Sequence, residues 1–177
     1  NGDGEANGNG HASLPGPPYA VALTAGGKVL RFALSAVAAI STRKGRLIVR
    51  LDGGFKDDAV VGVQLTEGTE NVCLATRLAR VMIFPVDEIN VVGGAAKGVL
   101  AIRLDVRDRV LGFTLADKKR EGLTVRTSRG ATQTVAASKY PVTGRGGKGY
   151  AVLQRGTLEA VVPDEVVPVP PVEEIHE

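Results

Sequence analysis

Eight residues near the end of the chain, TGRGGKGY (Thr143–Tyr150), combine four glycines with two cations. Glycine lets a backbone approach a ligand closely and turn its N–H groups outward, and Arg and Lys neutralise phosphate. A tight turn, a phosphate cradle and part of a nucleic-acid grip all use such residues. A P-loop is excluded, because GRGGKG has neither the required spacing nor a Ser or Thr after the lysine, and no helical pattern follows. Other chemistry is sparse. His11 and His176 lie in the terminal segments, and Cys73 sits in the alternating apolar run NVCLAT, where a core thiol is expected. Asp52, Asp57, Asp58, Asp105 and Asp108 fall in LDGGFKDDAV and RLDVRDRV and are expected to be solvated turn residues. Tyr140, in SKYPVT, has no evident acid or metal partner, so packing or a phosphate hydrogen bond is expected of it. No catalytic residue, metal site or cofactor is predicted.

The glycine-rich stretch is not alone. TRKGRL, GAAKGV and RGGKGY share a lysine–glycine pair, at Lys44-Gly45, Lys97-Gly98 and Lys148-Gly149. The elements around each pair repeat too. An alternating strand ends at or beside Thr24, Thr76 or Thr127, and after a short turn a second strand reaches Phe32, Phe84 or Val135. Ser35, Asp87 or Ser138 follows three residues later, as a small polar residue suited to turning the chain. Beyond the loop come LIVRLDG and AVVGVQL, VLAIRLD and RVLGFTL, or YAVLQRG and LEAVV. Units of about fifty residues with four short strands each predict blades in a radial, propeller-like all-β fold. Apolar spacing of two rather than three to four excludes helical repeats. The expected division is an ordered part over 19–162, with repeats over about 19–70, 71–117 and 118–162. Before it lies a Gly/Asn/Pro-rich linker, residues 1–18, and after it an acidic Pro-rich tail, residues 163–177.

Charge follows the same division. All 22 Lys and Arg lie between Lys28 and Arg155, whereas only 12 of the 19 acids lie between Tyr19 and Val162. A basic middle between acidic ends points to a polyanionic partner and to a tail that competes with it. The third unit is the most basic, with nine cations against two acids. Aromatics are few, and Phe32, Phe84 and Phe113 stand in strand patterns and are assigned to the core, which disfavours binding of single strands by stacking on unpaired bases. The chain has no apolar run of membrane length and no apolar leader, so a cytoplasmic protein is expected.

Three register-matched basic loops on one rim would form a track for a duplex backbone. The candidate DNA-binding residues are Arg43, Lys44 and Arg46 in the first loop and Lys97 in the second. In the third they are Arg145, Gly146, Gly147, Lys148 and Gly149, joined by Arg126, Arg129, Lys139 and Arg155 of the same unit. A scaffold binding an acidic protein partner uses the same charges but does not require the loop to recur once per blade. A small-molecule enzyme with its site on the blade axis is disfavoured by the lack of a histidine in the ordered part.

The stretch TSRGATQTVAASKYPVTGRGGKGYAVLQRG resembles a blade of the C-terminal domain of the type IIA topoisomerase A subunit, the family of DNA gyrase and topoisomerase IV. GKVLRFALSAV and ARVMIFPVDEINVVGGAAKGVLAIRL are similar to its other repeats, so the resemblance covers residues 19–162. It implies a β-pinwheel, a propeller-like disc whose neighbouring blades exchange a strand, with about three four-stranded blades here forming an open or partial disc. It also implies a non-catalytic module that binds and bends double-stranded DNA for supercoiling, relaxation or decatenation. The implied partners within the holoenzyme are the ATPase B subunit, together with the remainder of the A subunit. The gyrase box Gln-Arg-Arg-Gly-Gly-Lys-Gly is matched at its last five positions, Arg145 to Gly149, while Thr143 and Gly144 replace the Gln and the first Arg. That departure gives weight to a topoisomerase IV-like role.

Overall fold

The computed structural model describes residues 16–39, 44–51 and 53–163. The expectations for residues 1–15, for the tail from 164 and for Arg43 and Asp52 lie outside the described residues. In chain order the strands are β1 (Tyr19–Thr24), β2 (Lys28–Ala33), β3 (Val60–Thr66), β4 (Asn71–Thr76), β5 (Arg80–Pro85) and β6 (Val91–Val92). There follow β7 (Val99–Leu100), β8 (Val110–Ala116), β9 (Gly122–Thr127), β10 (Thr132–Ala136), β11 (Tyr150–Ala151) and β12 (Leu158–Val161). Among the described residues helix is confined to Ser35–Ala38 and a 3₁₀ turn at Val86–Glu88, at the chain turns marked by Ser35 and Asp87.

Each unit folds a β-hairpin and returns a further strand to its first member. The three resulting sheets are β3-β1-β2, β8-β4-β5 and β12-β9-β10, all antiparallel. Alternation along a strand sends successive side chains to opposite faces, and this stacks the sheets. Val21 and Leu23 of the first sheet meet Val72, Leu74, Phe84 and Phe113 of the second in one apolar layer. Cys73, Val81 and Ile83 on the second sheet's other face meet Val125, Val135 and Leu158 of the third. The three strand-pattern phenylalanines are core, with Phe84 fully buried. Burial also raises the Cys73 thiol pKa to about 12, so it stays protonated at neutral pH and is no nucleophile.

In the second and third units the third predicted strand is very short and leaves its own sheet. β6 and β7 of the second unit pair with β2 of the first sheet, and β11 of the third unit pairs with β5 of the second. This is the strand exchange of a β-pinwheel. The Thr143–Tyr150 stretch is therefore laid against the second sheet, not on the third unit's own blade. Among the described residues β10 keeps β9 as its one partner, so the third sheet has three strands rather than four. In the first unit the described residues of LIVRLDG form only an isolated bridge, Val49 with Ala96. The array is an open one.

A glycine on each of the first two returning strands lets the next blade approach. A Cβ on Gly62 would stand 3.2 Å from the Phe113 ring, and one on Gly112 would stand 2.9 Å from the Val161 side chain. Val63 holds the place in the first sheet that Phe113 and Val161 hold in theirs, and it is 56% exposed.

Two of the acids expected in solvated turns are structural. Asp108 is buried and accepts hydrogen bonds from the Thr76 hydroxyl (2.7 Å) and the Leu78 and Arg109 amides (2.8 Å each). Asp58 accepts from the Gly26 amide at 2.7 Å in the first sheet. Each clasps a hairpin turn to the loop before the returning strand, leaving few backbone donors there unmet.

Glu70 is another buried clasp, accepting from the Thr66 hydroxyl and the amides of Glu67, Gly68 and Thr69. Burial alone would raise its pKa, but these donors outweigh it and hold the carboxyl below its ordinary 4.5. A lowered folded value means stability that is complete above the unfolded value and is lost as pH falls through the folded one. Glu70→Gln is expected to lose roughly 2 kcal/mol at neutral pH. Urea titrations of variant and wild type should converge once the pH drops below the folded value, and a gap that persists there would refute the ionised clasp.

Candidate nucleic-acid interface

The exchanged segments bring the lysine–glycine loops side by side. Crossing from one sheet to the next needs a sharp bend, which Gly98 and Gly149 supply with φ of +72° and +67°, and Gly45 in the first loop has the same left-handed backbone at +70°. At Gly98 and Gly149 a Cβ would also strike the carbonyl of Val29 or Val81 on the receiving strand. The first two loops are joined where the Arg50 amide donates to Ala96 O (2.8 Å) and the Ala96 amide to Ile48 O (3.0 Å). The second and third are joined where the Gly146 amide donates to Ala101 O (2.6 Å) and the Arg103 amide to Gly147 O (2.7 Å). The loops thus form one continuous backbone ribbon along the outer strands.

Lys44, Arg46, Lys97 and Lys148 all lie exposed on this ribbon, together with Arg50 and Arg103, which sequence reasoning passed over. Alternation in the short exchanged strands was the available signal for those two. Arg46 is partly engaged, its guanidinium donating to Ala36 O at 3.1 Å.

Arg145 is held differently. Its Nε donates to Glu88 O (3.2 Å) and its Nη1 to Leu100 O (3.1 Å), while its amide donates to the Glu88 carboxylate (3.0 Å). The side chain ties the third loop to the second unit, with its guanidinium on backbone carbonyls. Gly146 lies against Leu100, and Gly147 leaves room for the Met82 methyl, 3.1 Å from where a Cβ would stand.

The remaining candidates are not on the ribbon. Lys139 is exposed in the turn after β10. Arg126 projects from the outer face of β9, Arg129 sits at the β9–β10 turn, and Arg155 in the loop before β12; all three are exposed. The last two belong to the end of the blades that carries the hairpin turns. Tyr140 packs against the layer between the second and third sheets, and Tyr150 is exposed on β11. Among the described residues no helix is long and apolar enough to cross a membrane.

The family described as "DNA gyrase C-terminal domain, beta-propeller" matches residues 18–67, 70–117 and 134–160. The chain is 32% identical over 132 residues to the DNA gyrase A subunit of Staphylococcus epidermidis, covering 74% of this chain and 14% of that protein. It is 29% identical over 136 residues to the DNA topoisomerase 4 A subunit of Bacillus subtilis, covering 77% and 16%. Among solved structures, a C-terminal domain of DNA topoisomerase IV superposes with a TM-score of 0.71 at 24% identity, covering 85% of this chain and 47% of that one. A DNA gyrase A C-terminal domain gives 0.66 at 19%, covering 84% and 50%. The chain thus spans about half of either solved domain and a small part of the full subunits. Exchanged strands, recurring bend glycines and the matched family agree: the chain belongs to the C-terminal, β-propeller-like domain family of the type IIA topoisomerase A subunits of gyrase and topoisomerase IV.

Proposed function

We propose that the chain is a duplex-DNA-binding and DNA-bending module of a type IIA topoisomerase, non-catalytic by itself, that presents DNA for strand passage. The observation that carries this reading is the ribbon of three hydrogen-bonded exchange loops with Lys44, Lys97 and Lys148 exposed along it. Point charges at successive blades suit a phosphate backbone, whose binding is driven by counterion release and is tolerant of sequence. The partners in this reading are double-stranded DNA, the ATPase B subunit, the remainder of the A subunit, all in the cytoplasm. Arg145 acts as a positioning residue for the third loop, because its guanidinium is spent on carbonyls. With Thr143 and Gly144 in place of the box's Gln and first Arg, bending of the kind a topoisomerase IV needs is favoured over full wrapping.

Duplex binding across a salt series tests this. Affinity is expected to fall steeply with salt, and Lys97→Ala/Lys148→Ala to lower the slope of log affinity against log salt by about 2. Neither lysine side chain makes an intrachain hydrogen bond among the described residues, so the fold is retained. Salt-independent or absent binding would overturn the proposal and favour a scaffold for an acidic protein.

A further inference from the structure

A second basic surface lies at the hairpin-turn end of the blades, away from the ribbon. Lys56, Arg77, Arg107 and Arg109 surround a cleft of about 480 Å³, together with Phe55 and Asp108. They come from three segments: the loop before β3, the β4–β5 turn and the loop before β8. The cleft is built rather than incidental. The Arg77 guanidinium donates to Arg107 O at 2.6 Å, and the Arg77 amide donates to Arg109 O at 2.9 Å, so one residue holds the β8 loop at two points. Arg107 holds a left-handed φ of +70°, as Asp57 does at +56° in the matching loop of the first blade.

Its lining carries four cations against one acid. The one acid in the lining, Asp108, is consumed by the Thr76 hydroxyl and two amides. Among the described residues no ion pair engages Lys56, Arg77, Arg107 or Arg109. Four like charges around a concave site repel one another, and low-dielectric walls focus their field, so an anion entering the cleft relieves the repulsion. The series continues across the turn end. Arg155 stands two residues before the position of Thr157 as Arg107 stands before that of Arg109, and Arg129 lies in the adjoining β9–β10 turn.

We infer that this cleft is a second phosphate-binding site, taking a backbone phosphate of a duplex that crosses the turn end of the blades. The inference rests on the DNA-binding reading above, with a surface separate from the ribbon. Free phosphate compounds share the chemistry, so pyrophosphate and a short blunt duplex are the two probes. The cleft variant is Lys56→Ala/Arg109→Ala, which removes no intrachain side-chain hydrogen bond among the described residues.

In the wild-type background the cleft variant is expected to lower the duplex salt slope by about 1, the share of one phosphate, and in the Lys97→Ala/Lys148→Ala background by about the same again. Amide chemical shifts of Arg77 and Arg109 should move on titration with pyrophosphate in the wild type, and that of Arg77 should stay still in the cleft variant. Pyrophosphate shifts with an unchanged duplex slope would retain the phosphate site and replace the duplex as its source. An unchanged slope with no shifts overturns the inference and leaves the ribbon intact. If instead the Lys97→Ala/Lys148→Ala variant alone leaves the slope unchanged, the ribbon reading fails while the cleft is judged by its own two measurements.

Discussion

Gly149→Ala is expected to destabilise the chain by roughly 3 kcal/mol, far more than the same change at Gly45. Both glycines occupy left-handed backbone, at φ +67° and +70°. That conformation costs an L-residue about 1–2 kcal/mol whatever surrounds it. The surroundings then separate them. A Cβ on Gly149 would overlap the Val81 carbonyl, with the carbonyl carbon at 3.1 Å and the Ile102 methyl at 3.2 Å. The receiving strand lies between β4 and β11 and cannot yield, so β11 must lift from β5 and give up its pairing at Tyr150–Val81 and Ala151–Arg80. Among the described residues a Cβ on Gly45 meets nothing within 4 Å, and Gly45→Ala should lose only the conformational share. Gly98→Ala, facing the Val29 carbonyl, should behave like Gly149→Ala. Urea denaturation of the three variants measures this. Equal losses at Gly45 and Gly149 would show that close approach to the neighbouring blade contributes nothing, and that the exchanged strand is only loosely placed.

The contrast bears on what the sequence could disclose. Two-residue alternation, the hairpin turns and the recurrence of Lys-Gly are local properties, and they are enough to predict three units of four strands and a core containing Phe32, Phe84 and Phe113. Which sheet receives the third strand is not local. VLAIRLD and YAVLQRG alternate alike whether they pair within their unit or with the one before, so the residues alone assign them to their own blades. The destination comes from the family resemblance, and the structure carries it out through β7 on β2 and β11 on β5. Arg145 is hidden for a related reason. A cation in a glycine-rich loop reads as free until the carbonyls of Glu88 and Leu100, 57 and 45 residues away, are seen to meet it. The turn-end cleft escapes notice because Arg77, Arg107 and Lys56 lie in separate turns that only stacking of the first two blades unites. Asp108 is misjudged too. Its neighbours in RLDVRDRV include exposed charged residues, and burial of one aspartate among them depends on the Thr76 hydroxyl from another hairpin.

That pairing carries the other large effect. Asp108→Ala is expected to cost roughly 3 kcal/mol, since it removes a charge-assisted acceptor and strands donors it had satisfied. The Thr76 hydroxyl and the Leu78 amide would both lose their partner, the first of them inside the protein. The third blade supplies an internal control. Thr127 stands opposite Leu158 as Thr76 stands opposite Val110, so Gly156 takes the place of Asp108. Among the described residues the Thr127 hydroxyl is accordingly buried without a hydrogen-bond partner. A buried hydroxyl with nothing to bond contributes a desolvation penalty and no compensating gain. Thr127→Val should therefore be neutral or stabilising. Thr76→Val, which loses both the 2.7 Å bond to Asp108 and the 3.2 Å bond from the Arg80 amide, should destabilise by about 2 kcal/mol. Thermal melts of the two threonine variants decide the matter. If both lose equally, the threonines act through packing alone and the aspartate clasp has no part in fixing the turn. If only Thr76→Val loses, the second blade is locked at the turn end where the basic cleft opens, and the third blade is held there without such a clasp.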